Sequence, residues 1–296
     1  MSPPGLMELV LLVACGLAAG TAGAVLGTGG GVFLIPILLL AFKVPMHYAV
    51  GTSILTVVAT STAVAIGNLD RGTANMRLGM TLEIATSVGA LSGGISAAFL
   101  PARVLVGVFA AVMVPTAFVM WRGRHGETDV DSTDASPESS AIDRNQSSGG
   151  SRFMDRLGAE YEDPTLHRRI AYRLRRLWAG LTISFVAGVM SGLLGIGGGV
   201  FKVPGLNVLC GVPIKAAAAT STFMIGVTAA ASAFLYFGRG EVDPRYTSAV
   251  VLGVVAGSWV GAYLNWYARG VVVKRVFAVL LFCVAIEMFG RAFDLL

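Results

Sequence analysis

The chain has 296 residues, of which 55% are hydrophobic and only 13% are charged, and its net charge is +5. A soluble domain carries about twice that share of charged residues, so this composition predicts an integral membrane protein. The arginines concentrate in one loop, as in the cytoplasmic loops of membrane proteins, and do not indicate a nucleic-acid partner. We expect a multi-pass protein of the cell membrane.

Apolar runs follow one another from the first residues onward. The run Leu6–Leu26 is followed by a glycine cluster and by a short apolar run, and the second half repeats this plan. The short runs, with about 10 residues each, are half-helices that cannot span a bilayer alone. The expected segments of the first half are 6–26, 32–42, 47–66, 78–100 and 104–121, and those of the second half are 177–194, 200–209, 214–237, 246–266 and 271–293.

The two halves are copies of one another at an offset of 168 residues. The motif Gly27-Thr-Gly-Gly-Gly-Val-Phe-Leu-Ile-Pro36 returns as Gly195-Ile-Gly-Gly-Gly-Val-Phe-Lys-Val-Pro204, and each copy is followed by a proline and a Thr-Ser pair. About thirty of roughly one hundred aligned pairs are identical, more than shared apolar composition gives. The expected fold is all-α, with two homologous repeats of about four transmembrane segments, the first segment of each broken at GxGGG. The expected division is 1–121, 122–176 and 177–296.

Residues 122–176 form the hydrophilic part of the chain. The stretch 124–151 is rich in Ser, Asp, Glu and Gly, which predicts disorder. In 152–176 arginines alternate with apolar residues such as Ile170, Tyr172 and Leu174, and we interpret this end as a basic amphipathic helix on an anionic membrane face. A linker that anchors the topology is favoured over a segment that binds a partner.

Two topologies are open. If each glycine-broken segment is a re-entrant hairpin, the repeats are inverted. If it crosses the membrane once, the repeats are parallel. With the 122–176 loop in the cytoplasm, inversion places Lys202, Lys215, Arg269, Lys274 and Arg275 on the inside, so the positive-inside rule favours inversion.

Paired helix breaks at corresponding positions of two halves indicate a binding site in a transporter. Each half-helix would present unpaired N–H groups and the positive end of its dipole at the break, which suits an anion. We therefore expect an anion between the two glycine backbones, with hydroxyl groups of the Thr-Ser pairs as further donors; alternatively, these hydroxyls bond to their own helices one turn back. The expected site residues are Gly29, Gly30, Gly31, Thr52, Ser53, Gly197, Gly198, Gly199, Thr220 and Ser221.

Two asymmetric positions and one acidic residue add to this site. Lys202 replaces Leu34 of the first repeat and would balance the charge of an anion, unless it extends to the membrane interface. Asn207, opposite Leu39, is a weaker candidate. Glu83 lies inside the third span and is a candidate carrier of a coupling proton.

The sequence does not predict an enzyme. The glycine cluster lacks the third glycine of a dinucleotide fingerprint and the Lys-Ser/Thr of a phosphate loop. The three histidines are too scattered for a metal site. We expect no cofactor and no metal.

The doubled G-x-G-G-G-V-F-x-[IV]-P motif with its Thr-Ser pairs resembles the sulfite exporter TauE/SafE family of membrane permeases. The resemblance covers both halves but not 122–176. It implies export of sulfite or an organosulfonate, driven by an ion gradient of H⁺ or Na⁺. We expect a secondary transporter with alternating access. The alternatives are a passive anion channel, a permease of the same fold for another small anion, and a membrane scaffold whose loop recruits a partner. The substrate, the coupling ion and any oligomer are left open.

Overall fold

The computed structural model describes residues 5–27, 29–70, 72–122, 159–163, 168–172, 174 and 176–264. The described chain is almost entirely α-helical. The helices of the first half are α1 (Leu6–Leu26), α2 (Gly31–Leu40), α3 (Met46–Asp70), α4 (Met76–Phe99) and α5 (Ala102–Arg122); those of the second half are α6 (Leu177–Leu194), α7 (Gly199–Val208), α8 (Ile214–Gly238) and α9 (Pro244–Leu264).

Six of these helices are long and apolar enough to cross a membrane, namely α1, α3, α4, α6, α8 and α9. The half-helices α2 and α7 have 10 residues each, so they extend for roughly 15 Å, about half the thickness of a bilayer core. The spanning segment expected at 271–293 and the stretch expected to be disordered at 124–151 lie outside the described residues.

The first helix of each half packs along a helix of the other half, and these two partner helices, α4 and α9, are related by the offset of 168 residues. α1 lies along α9, and α6 lies along α4. Both contacts are made by glycines close to the opposite backbone: a methyl group on Gly20 would meet the backbone of Val254, and one on Gly93 would meet that of Val189. Small residues permit such an approach in a membrane, and they interlock the two halves.

Two hydrogen bonds between α4 and α8 show how these helices are oriented, because the partners in each bond are 145 residues apart in the sequence. Asn75 N–H, at the start of α4, donates to Thr220 Oγ1, and Arg239 Nη1, at the end of α8, donates to Gly94 O. α8 is therefore parallel to α4. Because α4 begins where α3 ends, the equivalent helices α3 and α8 run in opposite directions.

Residues 168–172 do not form the expected basic helix. They are strand β2 (Arg168–Tyr172), which pairs antiparallel with β1 (Ala159–Asp163). Tyr172 is buried against α4, and its hydroxyl accepts a hydrogen bond from Asn75 Nδ2 at 3.1 Å. Alternation of charged and apolar residues has a period of two, which favours a strand over a helix. The prediction of a basic helix is therefore wrong for residues 168–172.

Candidate functional site

The two glycine clusters end one helix and begin the next at equivalent positions. α1 and α6 stop just before the clusters, and α2 and α7 begin inside them. Six glycines of the two clusters have a positive φ, a backbone conformation that residues with a side chain rarely adopt. They are Gly27, Gly29, Gly30, Gly195, Gly197 and Gly198, with φ of 66°, 82°, 75°, 69°, 76° and 69°.

The two breaks meet in the interior. A methyl group on Gly31 would lie 2.7 Å from the carbonyl oxygen of Gly195, and one on Gly199 would lie 3.2 Å from that of Gly27. We call these four glycines the junction. Each half-helix therefore starts against the break of the other half, and the structure brings together the two motifs that the sequence singled out.

Two apolar side chains close the centre of the junction. A methyl group on Gly29 would lie 3.1 Å from Val57 and 3.4 Å from Ile225. Both side chains are fully buried, and they occupy equivalent positions in α3 and α8. Val57 and Ile225 are not among the expected site residues, although the offset of 168 residues relates them.

Gly30 and Gly198 pack against the helix that precedes them. Their methyl groups would lie 2.9 Å from Ala19 O and 2.7 Å from Ala187 O. Gly30 also lies beside Gly23, so the chain turns back onto α1 at the break. These two glycines have a packing role in addition to any role toward a ligand.

The serines of the two Thr-Ser pairs differ in their contacts. Ser53 Oγ donates to the carbonyl oxygen of Gly195 at 2.8 Å, across the junction. The equivalent Ser221 is fully buried, and its hydroxyl has no hydrogen-bond partner among the described residues. Ser53 is thus bonded to the break of the other half, whereas the hydroxyl of Ser221 has no acceptor among the described residues.

The threonines of the pairs dock the ends of other helices. Thr52 Oγ1 lies 3.0 Å from Thr247 Oγ1 near the start of α9. Thr220 Oγ1 accepts the backbone N–H of Asn75 at 2.9 Å, at the start of α4. Both threonines are buried. Their contacts cross between the halves and do not reach the glycines.

Lys202 lies in the interior and not at the membrane interface, because none of its side chain is exposed. Its Nζ donates to Thr228 Oγ1 at 3.1 Å and lies 3.8 Å from Glu83 Oε2. Thr228 Oγ1 in turn lies 2.6 Å from Glu83 Oε1, which also accepts from Ser87 Oγ at 3.0 Å. Lys202 and Glu83, which were separate candidates in the sequence, therefore form one buried cluster with Thr228.

The cluster has no charged counterpart at the equivalent positions of the two repeats. Leu34, equally buried, stands at the position of Lys202 in the first half, and Val251 stands at that of Glu83 in the second. The threonine is kept in both halves, as Thr60 and Thr228. Thr228 is not among the expected site residues, and this repetition is the sequence signal that could have identified it.

Asn207 lies at the far end of its half-helix. Its Nδ2 donates to Val212 O at 2.9 Å in the turn after α7. Eight residues of helix separate it from Gly199, about 12 Å along the axis. The structure therefore does not bring Asn207 to the junction.

Comparison with known proteins gives a family match. The family model described as "Sulfite exporter TauE/SafE" matches residues 12–288. The chain is 26% identical over 290 residues to the probable membrane transporter protein YunE of Bacillus subtilis, covering 94% of this chain and 97% of the relative. It is 24% identical over 249 residues to the probable membrane transporter protein YdhB of the same organism, covering 84% and 87%. It is 25% identical over 229 residues to the probable membrane transporter protein MJ0441 of Methanocaldococcus jannaschii, covering 75% and 70%. No solved structure matches the chain.

Proposed function

Because the chain belongs to the sulfite exporter TauE/SafE family, we propose that it is a secondary transporter that exports a small sulfur-containing anion, sulfite or an organosulfonate, by alternating access. Its relatives are named as probable membrane transporters, and six helices have the length and hydropathy of membrane spans. The observation that carries the proposal is the meeting of the two broken segments at the junction.

The junction has the chemistry that an anion needs. The first N–H groups of a helix have no acceptor within it, and the dipole places partial positive charge there. α2 and α7 both begin at the junction, so two such ends converge. Ser221 adds a buried hydroxyl without a partner in the described chain. A sulfonate or sulfite oxygen accepts from both kinds of donor.

Alternating access is supported by the antiparallel course of α3 and α8. Inverted repeats let a transporter exchange two conformations that open to opposite sides of one central site. The return of the chain onto α1 at Gly30 supports a re-entrant hairpin, which is the premise of the inverted topology. The contacts of Gly29 with Val57 and Ile225 would have to separate before an ion could pass, which favours a carrier over a permanently open channel.

The experiment is flux into sealed proteoliposomes that contain the purified full chain. We expect uptake of labelled sulfite or of an alkyl sulfonate, accumulation above the external concentration under an imposed ion gradient, and its collapse with an uncoupler. Downhill flux that never exceeds equilibration would favour the channel. If phosphate or a carboxylate moves and sulfur anions do not, the chain is a permease of this fold for another anion. If no anion moves, the transporter function itself fails.

A further inference from the structure

The cluster of Lys202, Glu83 and Thr228 places two charged side chains in the interior where the equivalent positions of the repeat, Leu34 and Val251, are apolar. At the position equivalent to Lys202, the first half has the fully buried, uncharged side chain of Leu34. Because the same packing is achieved there with an apolar side chain, the ion pair serves something other than the architecture. A buried charged group within a membrane span is functional by default.

We propose that this cluster is the coupling site of the transporter. Lys202 binds the negatively charged substrate, and Glu83 binds one proton for each anion that is transported. The inference rests on the proposed function and names its coupling ion. It assigns to Lys202 and Glu83 a chemical role that Leu34 and Val251, at the equivalent positions, lack.

The pairing within the cluster is incomplete. Glu83 Oε2 is buried and has no hydrogen-bond partner among the described residues, and Lys202 Nζ lies 3.8 Å from it, beyond hydrogen-bond length. An ammonium group has three N–H donors, and within the described chain the bond found for Nζ is the one to Thr228. Lys202 therefore has donors left for an anion, and Glu83 has an oxygen left for a proton.

Charge balance links the two ligands. With the cluster empty, one ammonium faces one carboxylate. An anion beside Lys202 would add a second negative charge, and a buried charge without a partner is strongly unfavourable. A proton taken from water by Glu83 restores neutrality. The loaded carrier then holds one anion and one proton, so both move in the same direction. Export follows when the outward gradient of the anion exceeds the inward gradient of protons.

Among the described residues, Lys202 is the charged group that faces Glu83. Glu83 is faced by Lys202 of α7, by Thr228 of α8 and by Ser87 of its own helix. α6 carries no charged residue, and its buried Ser184 lies on the face that packs on α4. The other charged residues of these four helices are Arg77, which is exposed, and Lys215, thirteen residues before Thr228 and roughly 20 Å away along α8.

The cluster is close enough to the junction to share a ligand with it. Lys202 follows Gly199 by three residues on α7, and Thr228 follows Ile225 by three residues on α8. Each step is about 4.5 Å along its helix. Gly199 and Ile225 are neighbours, because a methyl group on Gly199 would meet the side chain of Ile225. An anion held at the start of α7 would therefore lie within reach of Nζ.

The test uses the full chain in proteoliposomes with a pH dye inside and the membrane potential clamped. Methanesulfonate is the probe because its acid is fully ionised and carries no proton itself; sulfite serves as the second substrate. We expect about one proton to enter with each anion. In E83Q the ratio of protons to anions should fall at least tenfold, and the pH dependence of the remaining anion flux should flatten. K202M should lose anion flux.

The control is T60V, which removes the equivalent hydroxyl from the first half and should leave the ratio unchanged. Anion flux without proton movement in the parent protein would overturn the coupling site while leaving the proposed function intact, and this holds even if E83Q fails to fold. An unchanged ratio in folded E83Q would overturn it equally. If neither substrate moves in the parent, the proposed function fails, and this inference fails with it.

Discussion

Lys202 and Glu83 come from different halves of the chain and lie 3.8 Å apart with their side chains withdrawn from the surface. The sequence around Lys202 or around Glu83 shows neither that the residue is buried nor that it pairs with the other. The contact joins the half-helix α7 to the span α4, and Thr228 of α8 bonds to both side chains. The cluster therefore joins three helices.

Removing one member of this pair should destabilise the protein more than removing both. K202L leaves the Glu83 carboxylate buried without a counter-charge, and E83V does the same to the ammonium; breaking a buried pair costs about 3–5 kcal/mol. The double variant carries the same two residue types as the equivalent positions Leu34 and Val251 and should recover most of the loss. The thermal unfolding midpoint of purified protein measures this, with L34M as the control. A double variant as unstable as the sum of both single variants would contradict the pairing.

Alanine at the junction should abolish transport. In G31A the methyl group would lie 2.6 Å from Ser53 Oγ and 2.7 Å from Gly195 O, so the two breaks must separate. G30A and G198A should lower the yield of folded protein as well, because these glycines have positive φ and abut the carbonyls of Ala19 and Ala187. Flux and monodispersity after detergent extraction separate the two effects.

The matched control for these variants is G67A. Gly67 lies in α3, and a methyl group there would meet nothing within 4 Å. Alanine at an open helical position favours the helix by up to about 1 kcal/mol, so G67A should fold and transport like the parent. Normal transport by G31A would show that the junction tolerates separation and would refute the site.

The two equivalent serines should respond differently to alanine. S53A leaves the buried carbonyl of Gly195 without its donor, a loss of about 1–3 kcal/mol. S221A removes a hydroxyl that has no partner among the described residues, so its unfolding midpoint should stay near that of the parent. If Ser221 donates to the anion, the apparent affinity for the substrate should still fall several-fold. Equal effects of both variants on stability would argue against this division.

The inverted topology predicts that α3 and α8 end on opposite sides of the membrane. Single cysteines at Gly67 and Gly238 test it, because an added side chain at either position meets nothing within 4 Å. In a background without Cys15, Cys210 and Cys283, an impermeant maleimide added to cells should label G238C, and G67C should react only after lysis. Labelling of both from the same side would exclude inversion.

Much of the fold could be predicted from the sequence because hydropathy and glycine clusters are local signals. The bounds of α1 and α6 agree with the expected segments, and those of α3, α4 and α8 agree within a few residues. The β1–β2 hairpin was wrongly expected to be a helix, although the alternation around Ile170 had the period of a strand.

The candidate site could be predicted only in part. The two glycine motifs lie together, as their repetition indicated, and Lys202 was recognised because it breaks the symmetry with Leu34. Its contact with Glu83 could not be read from the sequence, since it depends on how α4, α7 and α8 cross. Whether the glycines, the hydroxyls and Lys202 bind an anion stays a prediction.

The glycine contacts between α1 and α9 can form only late in the synthesis of the chain. α1 is made first, but the helix that it packs against is completed only after more than two hundred further residues. At about 5–20 residues per second, the delay is on the order of ten seconds or more. During that time Gly16 and Gly20 of α1 have no partner backbone to close on. A newly inserted first half therefore depends on lipid or on assisting proteins until the second half arrives.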